Sequence, residues 1–399
     1  MKRKRKQANQ LLFFLSATIV LISFGACLKS KDNLILPTEE AVSVTFSLKL
    51  PGSHMGIKTY AISGDEVQEV DVLVFTVDDD GEKFSYHSIG KDIQIGDNPG
   101  KIDFTASLRR DENISNEYRL VVLLNVRQEL NAYGINIGQT KTYFENNFIH
   151  TKEIPTDNWD GPLPMWGESD IITGVGSSTE ITGIDLLRSM AGVDVINEAD
   201  ANFTLTEVIV FNSKKKGLII PNSDSPSLPS FTAGDNETLE YNTVPLTPNE
   251  LKNEIYLFEA AAGSESNPED PDPNATALVI GGKFTSGPPD PDVTYYYRID
   301  FRNDLGELMP LLRNNRYVIN IKTANYDNGQ DHFETPMEAF QERSLTPTAI
   351  AYKTDNRHNF VPIGRPSNRG RPAMREEIVP QGGSAIKYTI TTTTSGENQ

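Results

Sequence analysis

The stretch Val42-Ser43-Val44-Thr45-Phe46-Ser47-Leu48-Lys49-Leu50 alternates without a break: Val44, Phe46, Leu48 and Leu50 fall on one side, Ser43, Thr45, Ser47 and Lys49 on the other. A period of two belongs to a β-strand with one face in a core and the other in water. Pro51-Gly52 ends the strand, and a polar, unpatterned loop covers 53–64. Residues 70–77, Val-Asp-Val-Leu-Val-Phe-Thr-Val, are apolar on nearly both faces, as in a strand at the centre of a covered sheet, with Asp80-Gly81 as the turn. Residues 118–124 form a second run of this kind, and 126–133 have the composition of a short helix.

Strand signals continue through the rest of the chain. Residues 203–211 and 217–220 read as two strands joined at Ser213-Lys214-Lys215-Lys216-Gly217, the lysines forming a solvated hairpin tip. Residues 255–258, 276–284, 295–301 and 317–322 are dominated by aromatic and β-branched side chains. One short helix is signalled at Thr335-Pro336-Met337-Glu338, where Thr335 can cap, Pro336 suits the first helical position and Glu338 completes a capping box. After Ala339 only Ile386, Tyr388 and Ile390 alternate, and 357–375 sets Arg365, Arg369, Arg371 and Arg375 among glycine and proline. Long helical periodicity is absent. The expected fold is therefore mostly β, two antiparallel sandwiches in series. The stretch 222–237, rich in Ser, Pro, Asp and Gly, is the expected boundary. It assigns 42–221 to an N-terminal sandwich and 236–399 to a C-terminal one.

Ahead of the first strand stands an export signal. Lys2, Arg3, Lys4, Arg5 and Lys6 precede a short apolar run over 11–24, and the small pair Gly25-Ala26 leads to Cys27, the only cysteine in 399 residues. Small residues directly before a cysteine form a bacterial lipoprotein box, so 1–26 read as a signal peptide and Cys27 as the acylated first residue of the mature chain. Each buried methylene of an acyl chain contributes roughly 0.8 kcal/mol, and several chains on one residue anchor stably. Residues 27–41 read as a polar tether. Loss of the five N-terminal basic residues takes the formal charge from −18 to −23. Such a field repels nucleic acid and anionic lipid headgroups, which leaves the lipid as the tether. With its only thiol acylated, the chain has no disulfide, thiolate metal site or cysteine nucleophile. The roughly 370 residues from Cys27 onward exceed what one hydrophobic core usually serves, which again implies two domains.

No catalytic constellation stands out. His-Glu-x-x-His, Gly-x-Ser-x-Gly and Gly-Lys-Ser/Thr are all absent. His54, His87, His150, His332 and His358 are scattered, mostly in expected loops. The many carboxylates nominate no glycosidase pair. Asp78-Asp79-Asp80-Gly81 and the acidic, proline-rich 267–274 invite a calcium reading, but neither has the full loop spacing. No metal or cofactor is expected, and no enzymatic activity.

Longer patterns carry a resemblance. Leu163-Pro164-Met165-Trp166-Gly167-Glu168, Leu186-Leu187-Arg188-Ser189-Met190-Ala191-Gly192-Val193-Asp194-Val195 and Val208-Ile209-Val210-Phe211-Asn212 follow one another. Leu312-Arg313-Asn314-Asn315-Arg316-Tyr317-Val318-Ile319-Asn320-Ile321 and the segment from Thr335-Pro336 to Glu338-Ala339 come later. In this order they resemble the fimbrillin family, the subunits and accessory proteins of the type V fimbriae of Bacteroidota. The resemblance implies two transthyretin-like β-sandwiches, export as an outer-membrane lipoprotein, and assembly with other fimbrial subunits by β-strand exchange. It makes Trp166 and Met165 packing residues and Arg188 a buried, paired structural arginine. In that assembly a protease removes the first strand after an Arg or Lys. Lys58-Thr59 sits where such a site belongs, the removable strand is the one carrying Val44, Phe46, Leu48 and Leu50, and Ile386, Tyr388 and Ile390 could supply a donor strand. A rival reading is a surface lipoprotein of β-sandwich type that binds glycans for nutrient uptake. Trp159 and Trp166 are the only tryptophans available for its platforms.

Overall fold

The structure, a computed structural model, describes residues 41–50, 66–96, 100–151, 161–199, 202–220, 236–242, 250–264, 272–288, 290–302, 308–324, 326, 331, 345–353 and 386–387. It is built almost wholly of strands. The first half holds β1 (Ala41–Lys49), β2 (Val70–Asp78), β3 (Gly81–Ile89), β4 (Lys91–Ile95), β5 (Lys101–Arg109) and β6 (Glu117–Leu124). Helices α1 (Arg127–Tyr133) and α2 (Lys141–Asn147) follow, then β7 (Ile149–Thr151), β8 (Met165–Glu168), β9 (Ile172–Thr173), β10 (Glu180–Asp185) and β11 (Leu187–Arg188). A sheet of order β10-β1-β5-β4 and a sheet of order β11-β8-β6-β2-β3, with β9 beside β6, enclose one core between them.

The nearly continuous apolar reading of β2 has a structural cause. Val70, Val72 and Val74 face the core shared with β1, whereas Leu73 and Phe75 face outward into a second cluster with Phe84, Phe144, Phe148 and Ile219. The outer face is covered by α1, α2 and the segment around Ile219, so both sides of the strand are dry. α1 matches the helix expected over 126–133 and stops at Gly134, whose φ of 64° lets its N–H reach the Leu130 carbonyl. α2 is capped by the Thr140 side chain, which accepts from the Tyr143 N–H.

The second half holds β12 (Ala191–Asn197), β13 (Phe203–Lys214), β14 (Lys216–Leu218), β15 (Asn236–Asn242), β16 (Glu250–Leu257), β17 (Ala277–Phe284), β18 (Tyr295–Asp300), β19 (Asn315–Ala324), β20 (Leu345–Lys353) and β21 (Ile386–Lys387). Sheets β16-β12-β19-β20-β21 and β15-β13-β17-β18 enclose the second core, with Val195, Leu205, Val208, Tyr297 and Ile319 inside it.

Four expectations change. The stretch 222–235 does not separate the two sheet pairs: β12 and β13 precede it yet pair with β16, β19, β15 and β17. The chain changes sheet pair between Arg188 and Ala191, where no Gly- or Pro-rich signal marks it, because β11 and β12 run on almost without a loop. The lysine run is not a hairpin tip, since β13 extends to Lys214 and β14 turns back to pair with β7, Gly217 opposite His150. Pairing is largely antiparallel, but β1 lies parallel to β10 and β12 parallel to β19. β20 lies in a region where the sequence carries no strand pattern. Its Pro347 pairs opposite Ile321, and a register shift follows immediately. The helix expected at 335–338 and the Arg-rich 357–375 lie outside the described residues.

The two halves meet along a sealed seam. Tyr256 and Phe258, at the end of β16, belong to the core of the first sheet pair. Phe258 packs against Gly217, where an added Cβ would sit 2.2 Å from its ring. Arg313 binds Glu259 at 2.6 Å and donates to the carbonyls of Leu218 and Ile219.

Candidate functional site: the first strand and its groove

β1 occupies the middle of its sheet. It pairs with β5 over its whole length, Ala41 opposite Arg109 through Lys49 opposite Lys101, and with β10 from Thr45 to Lys49. The Leu50 N–H continues the ladder to the Gly100 carbonyl at 2.7 Å, and the Leu186 N–H returns to the Lys49 carbonyl at 2.9 Å. On the β10 side the register jumps at Gly183, whose φ of +82° produces the bulge that keeps Ile181 and Ile184 both facing the core. Lys49 reaches Asp185 at 3.8 Å across the sheet surface.

The alternation is fulfilled in full. Val44, Phe46 and Leu48 are each 0 % exposed, and Leu50 packs half-buried at the rim. At roughly 1.5–3 kcal/mol per fully buried side chain, these three contribute about 5–9 kcal/mol. That rivals the whole stability of a typical domain, about 5–15 kcal/mol. A sheet without β1 would expose two strand edges and a strip of core, so a strand has to stand in that position.

The next segment is held independently of β1. Asn125, in the left-handed region at φ 59°, accepts from the N–H groups of Gln68 and Glu69 and donates to the carbonyls of Glu66 and Leu163. Arg127 donates to the Val70 carbonyl at 3.0 Å and to the fully buried Asp71 at 3.1 Å, and His87 Nε2 lies 2.7 Å from the same Asp71 oxygen. The chain is thus pinned on the β2 side of the 51–65 connection. The contacts that hold the start of β2 involve no residue of β1. Sequence reading passed over Asn125; its one signal is a lone Asn between a strand and a helix, a position that favours φ above zero.

Other expected site residues are distributed as follows. Cys27, Lys58, Thr59, Trp159, Tyr388 and Ile390 lie outside the described residues, and Ile386 stands in β21 opposite Ala351 of β20. Arg188 is buried, its backbone N–H and guanidinium both reaching Asn314. Met165 is buried, and Trp166 packs half-buried on the outer cluster of the first sheet pair, so neither forms an exposed aromatic platform.

Several other charged groups among the described residues form structural networks. Lys83 bridges Asp78 and Asp80 at 3.2 Å each, which places an ammonium where a calcium ion would have to sit. Asp272, at the end of the acidic segment, accepts from the N–H groups of Ser264 and Asn274. Lys141 on α2 meets Glu145 and Glu168 at 2.8 Å and Glu82 at 3.5 Å. Burial alone would depress Lys141, but Glu168, Glu145 and Glu82 outweigh it and hold the ammonium above its ordinary range. Burial pushes Glu145 up to about 7, against the pull of Lys141 and with help from Glu168 and Glu82. Burial likewise pushes Tyr86 up to about 12, although the Arg109 amide donates to its hydroxyl. Among the described residues no group of three or more His, Cys, Asp or Glu is placed to hold a metal ion.

Comparison with known proteins adds three kinds of finding. The family model of the fimbrillin-A associated anchor proteins Mfa1 and Mfa2 matches residues 36–330. Among solved structures the chain is similar to the tip fimbrial protein Mfa3 from Porphyromonas gingivalis with C-terminal truncation, at 16% identity over 71% of this chain and 96% of that one, TM-score 0.47. A fimbrilin (fimA) from Porphyromonas gingivalis W83 matches at 15% identity over 77% and 96%, TM-score 0.44. The fimbrial anchor protein Mfa2 from Porphyromonas gingivalis matches at 11% identity over 78% and 98%, TM-score 0.32. No curated protein sequence matches the chain.

Proposed function

Because the chain belongs to the family of the fimbrillin-A associated anchor proteins Mfa1 and Mfa2 and has a structural or accessory role in a fimbria, we propose that it joins its neighbours by β-strand addition at the position of β1 and is held at the outer membrane by lipid on Cys27. It works as a mechanical link with no enzymatic activity, as part of a surface-exposed fimbria that supports adhesion. The observation that carries the proposal is the asymmetry around the 51–65 connection. On one side β1 is held by its two ladders, its buried face and the surface pair Lys49–Asp185. On the other, Asn125 and Arg127 pin the start of β2. A cut after Lys58 would therefore leave β1 held without a covalent link to β2, so that a neighbour's strand could replace it in a groove formed by β5 and β10. Ile386, Tyr388 and Ile390 give the chain a short alternating segment near its end that could act as donor strand for a neighbour.

Limited trypsin treatment after Lys58, in the presence of partner fimbrial subunits, should convert monomer into polymer on size-exclusion chromatography. Cleavage that leaves a monomer would refute strand addition for this protein. Resistance to cleavage would assign it to an anchor that keeps its own first strand. Metabolic labelling with a fatty-acid analogue tests the lipid: incorporation is expected in the native chain and lost in Cys27→Ser.

A further inference from the structure

We propose that Phe104 selects the strand that enters the groove of β1, requiring an aromatic side chain where Phe46 now lies. The inference rests on the strand-addition reading and adds the chemistry of the partner to it. The groove is graded along β5: Ala106 stands opposite Val44, Phe104 opposite Phe46 and Ile102 opposite Leu48. On the β10 side Ile181 stands opposite Phe46 and Ile184 opposite Leu48. The Phe46 slot is thus walled by a flat ring and an aliphatic side chain, both buried.

Phe104 has little freedom to adapt to a different occupant. Its ring lies against Gly90, where an added Cβ would come within 3.0 Å of the ring and 2.7 Å of Val70 Cβ. The missing side chain at Gly90 makes room for the ring, and its burial in the core between the two sheets holds it there. Phe46 and Phe104 stack with centroids 4.7 Å apart and planes 14° from parallel. An aliphatic residue in the slot would fill it only in part and would lose the stacking, which weakens retention by about tenfold. Val44 faces the small Ala106 and Leu48 the aliphatic Ile102, so neither neighbour makes a comparable demand. The incoming strand therefore carries an aromatic residue at the position of Phe46, flanked at alternate positions by apolar residues of less restricted shape.

The test uses the full mature chain with a specific protease site placed in the 51–65 connection, nicked so that β1 stays bound without a covalent link. Fluorescent peptides of residues 41–50 then compete for the groove. The native-sequence peptide should displace β1, and the Phe46→Leu peptide should compete about tenfold less well. In a chain carrying Phe104→Leu the two peptides should compete equally, because the stacking partner is gone. Equal competition on the native chain overturns selection by Phe104 while strand addition stands. Failure of the native peptide to enter overturns strand addition and selection together. If Phe104→Leu does not fold, the two peptides on the native chain settle the question.

Discussion

Replacing Phe46 by alanine removes the largest side chain of β1 from a site that is 0 % exposed and stacked 4.7 Å from Phe104. Truncating a buried phenylalanine costs about 3–5 kcal/mol, the lost transfer energy plus the cavity left behind. The upper part of that range applies here, because the site is fully enclosed and the truncation also removes the stack on Phe104. Urea unfolding followed by circular dichroism and tryptophan fluorescence is the assay, Trp166 reporting on the first sheet pair. With a slope of about 2 kcal/mol per molar urea, the midpoint of the first transition should fall by roughly 2 M. Thr45→Ala is the control, since Thr45 is the next residue on the same strand but points to solvent. Its midpoint should stay within about 0.3 M of the native value, the usual effect of a surface substitution. Equal shifts for the two variants would show that β1 is not the core strand described here.

Three further outcomes follow from the geometry. Asn125→Ala removes four hydrogen bonds and places a residue with a β-carbon but no polar group at φ 59°; it should cost about 2 kcal/mol and speed proteolysis upstream of Val70, read by mass spectrometry of the fragments. Gly217→Ala drives a methyl to 2.2 Å from the Phe258 ring; overpacking of this kind costs about 1–3 kcal/mol, and calorimetry should show the seam loosening as two separated transitions. Glu145, held up to about 7 from an ordinary 4.5, keeps in the folded state a proton that the unfolded chain has lost. Stability from this group is full below 4.5 and is lost as pH rises through about 7; urea midpoints at pH 5, 6 and 8 should fall in that order, and Glu145→Gln should flatten the trend.

Much of the fold is legible as local pattern. The alternation of 42–50, the two-sided apolar run 70–77, the helix over 126–133 and the strands near 255, 280, 298 and 320 are all found where period and composition put them. Each is set by side chains two to four residues apart along the chain. The elements that sequence reading missed or misplaced depend on partners far away. β14 pairs with β7, nearly seventy residues upstream, so the lysine run reads as a hairpin tip when only its neighbours are in view. β20 has low apolar contrast and takes its strand conformation from the ladder with β19. α2 is a seven-residue helix whose place is set by the Lys141 cluster and by Phe144 and Phe148 packing on the outer face of β2.

The same division runs through the candidate site. Local alternation was enough to identify β1 and to name Val44, Phe46 and Leu48 as its buried face, because the pleat of a strand makes burial a matter of parity. Membership of the fimbrillin family was also legible in the order of its motifs, and the family model bears it out. Nothing local could tell that β1 runs parallel to β10, that Phe104 is the ring facing Phe46, or that Asn125 holds the far side of the connection. Nor could it place the change of sheet pair at Arg188 to Ala191. Register, strand direction and the choice of neighbour are fixed by contacts between residues tens of positions apart, whose energies exist only once the sheets have closed around the core.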